Sequence, residues 1–305
     1  MIIEDIKSIP SFEVLGIIIN VGTKEFTTQA IASFRVETDM PLCVIDCSLP
    51  EKLSHNKRIS TDYEYLIRLN EKYDFYLLKL PLQEHGLTLD YLFRNTTSKN
   101  LLLMDSDVEL LNQGIIKKMI RYINKQDFMG SGFISPPCEL TKESIGRQNF
   151  GLYQERMFIP LVVLNVASIK IAFYEGKKSF LARMEYNDFP LIPKVSEFLF
   201  QRFRKRELIN LRLRCLNPFK KEYFGDKPCC IYNDTGAEIW MYLKYKKRMQ
   251  FYGPPTTVYP DYFTHFHGAT RKKLIPQDPN TGKEDMSKLL NNLLGTYNID
   301  VRKYS

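Results

Sequence analysis

The chain has 305 residues, 44% hydrophobic and 26% charged, an ordinary globular composition that excludes a low-complexity chain and allows one large domain or two smaller ones. Its 43 Lys and Arg outnumber 35 Asp and Glu, and the net charge of +8 favours anionic ligands: nucleotides, nucleic acid or acidic membrane surfaces. The six cysteines, at 43, 47, 138, 215, 229 and 230, form no Cys-x-x-Cys pair, which argues against a zinc finger and for reduced thiols in a cytosolic protein.

The opening MIIEDIKSIPSF has no basic segment leading into an apolar one, so no signal peptide is expected. Residues 12–23, FEVLGIIINVGT, predict a buried strand that ends in a glycine-containing loop. Residues 27–38 have a helical pattern, and PLCVIDCS (41–48) predicts a second strand ending at Asp46. A helix follows at 60–74, a strand at 75–81, a helix at 87–98, and a fourth strand in NLLLMD at 100–105. This β-α-β-α-β-α-β alternation predicts a parallel sheet with right-handed crossovers, whose ligands bind beyond the carboxyl ends of the strands. Asp46, Asp105 and Asp107 all fall at such ends.

Beyond residue 110 the pattern is less regular. An amphipathic helix is expected at 113–125, turns at 130–137, a helix at 235–247, turns at 277–285 and a terminal helix at 286–297. The most membrane-like run, MFIPLVVLNVASIKIAFY (157–174), is interrupted by Pro160, Asn165, Ser168 and Lys170, so a strand–loop–strand is expected rather than a span. Residues 175–232 give no clear assignment, and no internal repeat is present.

The triplet Asp105-Ser106-Asp107 directs two carboxylates into one small volume. Anions so close discourage each other's ionisation unless a cation joins them. Mg²⁺ or Mn²⁺ takes oxygen ligands of this kind together with substrate phosphates, and neutralises a diphosphate leaving group. The alternative is a solvated acidic turn.

The segments IIINVGT, VIDCS, LLLMDSDVEL, NDTGAEI and HFHGATR, in this order across residues 12–272, resemble GT-A-type glycosyltransferases near the family 2 group. The resemblance implies an α/β fold with a Rossmann-like, mostly parallel sheet flanked by helices. It implies one domain over 1–275, with a nucleotide-sugar-binding half at 12–112 and an acceptor-binding, catalytic half at 113–275. A C-terminal tail with a short helix would occupy 276–305. By the same resemblance Asn20, Gly22, Thr23 and Asp46 hold the nucleotide. This chain has Asp46-Cys47-Ser48 where the family often has Asp-Asn-x-Ser, and a loop or capping role is the other reading of Asp46. His85 and Gly86 would approach the donor at a helix start, Asp105 would contact sugar or ribose and the metal, and Asp107 would bind the metal.

In the second half, YNDTGAEIWMYLK (232–244) resembles the family's acidic stretch that supplies the catalytic base. Asp234 is the first candidate and Glu238 the second, although Thr235-x-x-Glu238 also reads as a capping box. YFTHFHGATRKK (262–273) holds His265 and His267, either of which could be a further Mn²⁺ ligand, and Arg271, which could meet a diphosphate; a surface loop with incidental histidines is the alternative. Trp240 fits a core position or an acceptor-stacking one. The basic stretch 194–224 fits peripheral contact with an anionic membrane or an amphipathic surface element. The resemblance implies metal-dependent, inverting transfer from a nucleotide sugar, with UDP-sugar first, to a glycan or lipid-linked acceptor in the cytoplasm. The alternatives are a sugar nucleotidyltransferase, against which the lone glycine and lysine of NVGTKEF count, and a non-catalytic basic module binding glycan or nucleic acid, for which no RNA- or DNA-binding signature is present.

Overall fold

The alternation of the first hundred residues becomes the centre of an eight-stranded sheet. The computed structural model describes residues 1–48, 62–139, 151–186, 230–253, 260–266 and 281–304. In chain order these form β1 (Ile2–Ile3), β2 (Val14–Asn20), α1 (Lys24–Glu37), β3 (Leu42–Asp46), α2 (Tyr63–Tyr73), β4 (Tyr76–Lys79), α3 (His85–Asn95), β5 (Asn100–Asp105) and β6 (Val108–Leu110). They continue with α4 (Ile115–Ile120), β7 (Phe128–Ser135), β8 (Cys138–Glu139), β9 (Gly151–Tyr153), β10 (Arg156–Asn165), α5 (Val166–Tyr174) and β11 (Arg183–Tyr186). The last are β12 (Cys230–Asn233), α6 (Ala237–Met241) with a π-turn to Lys246, β13 (Gln250–Tyr252), β14 (Phe263–His265) and α7 (Thr281–Thr296).

The sheet order is β1-β4-β3-β2-β5-β10-β7-β13. Every neighbouring pair is parallel except the two that β10 makes, with β5 and with β7. The central strands β2, β3 and β5 are apolar up to their polar ends because both faces are covered. Leu15, Ile17, Leu101 and Leu103 point into one core with Leu92, Phe93, Ile169 and Phe173 of α3 and α5. Ile18, Val44, Leu102 and Met104 point into the other, with Ile31, Phe34, Leu66 and Leu69 of α1 and α2. The period of two along each strand thus divides the two cores. Gly16 belongs to the second face, where a Cβ would lie 2.7 Å from the Phe34 ring, so α1 seats directly on the strand backbone.

Three expectations from the second half are corrected. Residues 130–137, expected as turn, contain most of β7. Its glycines permit close approach of neighbours, since a Cβ on Gly130 would meet Leu164 at 2.7 Å and Phe251 at 2.9 Å. The expected strand–loop–strand over 157–174 is a strand followed at once by a helix. Asn165, which reads as a loop residue, caps α5 by accepting from the Ser168 amide at 2.9 Å. The terminal helix starts at Thr281, inside the segment expected to be turns. It is no loose tail: Leu289, Leu293 and Ile299 pack with Phe26 and Ala32 of α1. No helix among the described residues is long and apolar enough to cross a membrane. Cys43 and Cys47 are buried free thiols, and burial pushes Cys47 up to about 11.

Candidate active site at the carboxyl edge of the sheet

Parallel strands deliver their last residues to one edge, and here those residues are Asn20, Asp46, Lys79 and Asp105. Asn20 is the hub of a buried polar network. Its Nδ2 donates to Asp46 Oδ1 at 2.9 Å and to Asp62 Oδ2 at 3.2 Å. Its Oδ1 accepts from the Thr23 amide at 3.2 Å, the Thr23 hydroxyl at 3.2 Å and the Thr27 hydroxyl at 2.7 Å. Asp46 is fully buried; besides Asn20 it accepts from the amide and hydroxyl of Ser48 and pairs with Lys79. These bonds from Asn20, Ser48 and Lys79 tie the ends of β2, β3 and β4 together at Asp46. Lys79, whose ammonium also lies over the Tyr63 ring, is the more exposed member of the pair. Gly22 adopts φ 64°, which turns the loop after β2 so that Thr23 takes the N-cap position of α1.

The network reaches the acid pair through Ser106, whose hydroxyl lies 3.1 Å from that of Thr23. Asp105 ends β5 and Asp107 precedes β6, so the chain turns between them. β6 pairs antiparallel with β14, His265 opposite Val108, and the Phe266 amide donates to the Asp107 carbonyl at 2.9 Å. This ladder brings His265 Nε2 to 3.3 Å from Asp107 Oδ1, with the imidazole edge-on to Phe158. One ligand atom from each of Asp105, Asp107 and His265 lies within 4.8 Å of the other two. Burial raises the Asp105 carboxyl above its ordinary 3.8; His85 and His265 oppose this, and the charges of Asp107 and Asp234 add to it. The sequence candidates His85 and Asp234 therefore lie within electrostatic reach of the acid pair.

β10 explains how the second half arrives there. Because it runs against its neighbours, its amino end meets this edge, with Arg156 opposite Ser135 of β7. A small sheet, β11-β12-β9-β8, adjoins it. β12 leads into Asp234, and Arg156 Nη2 pairs with Asp234 Oδ2 at 3.1 Å. Asp234 keeps 35% of its side-chain surface exposed, whereas Glu238 keeps 10% and faces Lys178 at 3.8 Å. Next to Arg156, Glu155 Oε1 accepts from Trp240 Nε1 at 2.9 Å, the Tyr245 hydroxyl at 3.0 Å and Lys244. Trp240 of α6 and Tyr245 of the π-turn that follows it converge on one carboxylate. Residues 155 and 156 thus grip the segment that carries Asp234 at both ends. Trp240 is 1% exposed and contacts Phe251, so it takes the core position.

His85 is the first residue of α3. Gly86 has a packing reason of its own: a Cβ would lie 2.7 Å from the backbone of Phe180 and Leu181. His267, Arg271 and the basic stretch 194–224 lie outside the described residues. Sequence reasoning missed Lys79, Ser106, Glu155 and Arg156. Lys79 carried a signal, because it ends a strand as Asp46 does; Arg156 carried none, since only the antiparallel course of β10 makes its amino end significant. A cavity of about 640 Å³ lies at the opposite, amino edge, lined in part by Phe12, Arg35, Pro41, Lys72 and Tyr76. The Arg35 guanidinium there is occupied by the carbonyls of Met40, Tyr73 and Asp74.

No protein-family pattern and no curated protein sequence matches the chain. Similar solved structures include S. aureus TarS 1–349, at 9% identity and TM-score 0.35, over 76% of this chain and 63% of that one. Another is the mannosyltransferase PcManGT from Pyrobaculum calidifontis in complex with GDP-mannose and Mn²⁺, at 10% identity and TM-score 0.38, over 75% of this chain and 59% of that one. The chain spans about three fifths of the length of each. With TM-scores this low, the fold class rests on the chain's own sheet: α/β, mostly parallel, with helices on both faces.

Proposed function

We propose that the chain is a metal-dependent glycosyltransferase of GT-A type, which moves a sugar from a nucleotide sugar to a glycan or lipid-linked acceptor. The observation that carries this reading is the meeting of Asp105, Asp107 and His265 at the carboxyl edge, with the charge of Asp234 felt at the same carboxylate. Two carboxylates and an imidazole are donors that suit Mn²⁺, and suit Mg²⁺ less. These three residues would hold the ion, which when bound supplies positive charge to a departing nucleoside diphosphate.

The chain's own groups do the rest. Asp234 is favoured over Glu238 as base because it keeps the larger exposed surface and lies beside Arg156, which orients its carboxylate. It would take the proton of the acceptor hydroxyl as that oxygen bonds to the anomeric carbon. The bond from that carbon to the diphosphate oxygen breaks, and its electron pair leaves with the nucleoside diphosphate, so the configuration inverts. The start of α3 at His85, which has no side-chain cap, suits a phosphate. Arg271 and His267 are further candidates for diphosphate and ion. The stretch 194–224 is a candidate for peripheral membrane contact beside a lipid-linked acceptor, on the cytoplasmic side.

The test is thermal unfolding of wild type and Asp107→Ala with UDP, GDP, CMP and dTDP, each with and without Mn²⁺. A nucleotide at one hundred times its dissociation constant adds about 2.7 kcal/mol, roughly 5 °C for a chain of this size. The expected result is such a gain for one nucleotide, dependent on Mn²⁺ and lost in the variant. A flat panel would leave the acid pair as a buried structural turn with no part in donor binding.

A further inference from the structure

The ladder that carries Asp107 and His265 is small. β6 and β14 contribute three residues each and, among the described residues, pair with one another and with no further strand. A two-stranded ladder is marginal in water without packing behind it. α1 supplies part of that support, because Ser33 Oγ accepts from the Leu110 amide at 3.1 Å. Val108, Leu110 and Phe263 add apolar backing by packing into the second core, Phe263 against Phe133 and Phe158, and the C-terminal helix, with Tyr297 just past its end, supplies polar contacts of its own. Glu109, two residues past Asp107, accepts on Oε1 from Asn292 Nδ2 at 2.9 Å and from the Tyr297 hydroxyl at 2.7 Å. Phe266, next to His265, packs on Phe26 with ring centroids 5.5 Å apart, within the cluster of Leu289, Leu293 and Ile299. Burial and the Glu109 carboxylate both favour the protonated Tyr297, so it stays a donor. α7 therefore holds each strand of the ladder beside the residue that would ligate.

We propose that α7 is a positioning element for the metal site, with Tyr297 and Asn292 acting through Glu109 on the Asp107–His265 geometry. This rests on the metal site of the proposed function. Its prediction is specific: groups more than 180 residues from Asp107 in sequence set the affinity for the ion. Outer-shell partners of ligands typically change metal affinity by about 10–100-fold, and one step further removed the lower end is expected.

The experiment is titration of the full chain with Mn²⁺ alone, free ion read by its electron paramagnetic resonance signal. Wild type is compared with Tyr297→Phe, the double variant Tyr297→Phe/Asn292→Ala, and Leu294→Ala, which alters an exposed side chain of the same helix. The metal-free unfolding midpoint is recorded for each. The double variant is expected to bind about tenfold more weakly, the isosteric Tyr297→Phe by a smaller factor, and Leu294→Ala like wild type. Were the double variant to lose its fold, Tyr297→Phe alone decides. Equal affinity in wild type and the decisive variant overturns the positioning role and leaves the metal site standing. Loss equally large in Leu294→Ala also overturns it, as general loosening of the helix. Absence of binding by wild type removes the metal site itself, and this inference with it.

Discussion

Asn20→Ala separates a residue that organises the edge from one that only touches a ligand. The side chain makes five hydrogen bonds, all buried. Truncation removes a donor from each of two buried carboxylates, Asp46 and Asp62, and an acceptor from Thr23 and Thr27. Hydrogen bonds to charged groups contribute about 1.5–3 kcal/mol each. Asp46 retains Ser48 and Lys79, and losses within one network are not additive, so about 3–5 kcal/mol in total is expected. That is a large share of a typical stability of about 5–15 kcal/mol. The assay is urea unfolding followed by circular dichroism. With a slope of about 3 kcal/mol/M, the midpoint falls by more than about 1 M. A midpoint within about 0.3 M of wild type would refute the hub and return Asn20 to the role of a ligand contact.

Two further outcomes follow from the geometry. Gly86→Ala places a Cβ 2.7 Å from the backbone of Phe180 and Leu181, which is pinned by Asp90 through the Phe180 amide and by the stacked Phe93 ring. The variant is expected to lose about 1–3 kcal/mol in urea unfolding with no ligand present, and unchanged stability would leave ligand approach as the reason for the glycine. Asp105 gives a pH dependence. Its folded carboxyl is raised above 3.8 by burial, so the folded state holds the proton more tightly than the unfolded chain. That contribution is complete below the ordinary value and is lost as pH rises through the raised one. Without metal, the unfolding midpoint of wild type should therefore fall relative to Asp105→Asn above about pH 4; Mn²⁺, which needs the ionised form, should stabilise wild type increasingly over the same range. Parallel pH curves for the two proteins would contradict the raised carboxyl.

The first half of the fold was legible because parallel strands buried on both faces leave unbroken apolar runs, and each run stops at a polar residue that belongs to the edge. Asp46 and Asp105 were visible in this way, whereas Asn20 was singled out only by the family resemblance. The second half hid its structure for identifiable reasons. The glycines of β7 look like turns until β10 and β13 are laid against them. The passage from β10 to α5 occurs inside one apolar run, marked only by the Asn165 cap. The pairing of Arg156 with Asp234 and the grip of Glu155 on Trp240 and Tyr245 join residues about 80–90 apart, where no local pattern reports contact.

The β6–β14 ladder also has a bearing on how the chain reaches its native state. Asp107 and its partner His265 are separated by roughly 160 residues, and α7, which backs them, comes later still. Closing so long a loop delays a contact during folding and during synthesis from the amino end. The β2–β5 region can collapse on α1, α2 and α3 with the acid pair already in the chain, yet the three candidate ligands meet only after nearly all of it has docked. An ion bound at this site would stabilise the finished state and contribute little to the early steps, so Mn²⁺ should slow unfolding while leaving the refolding rate nearly unchanged.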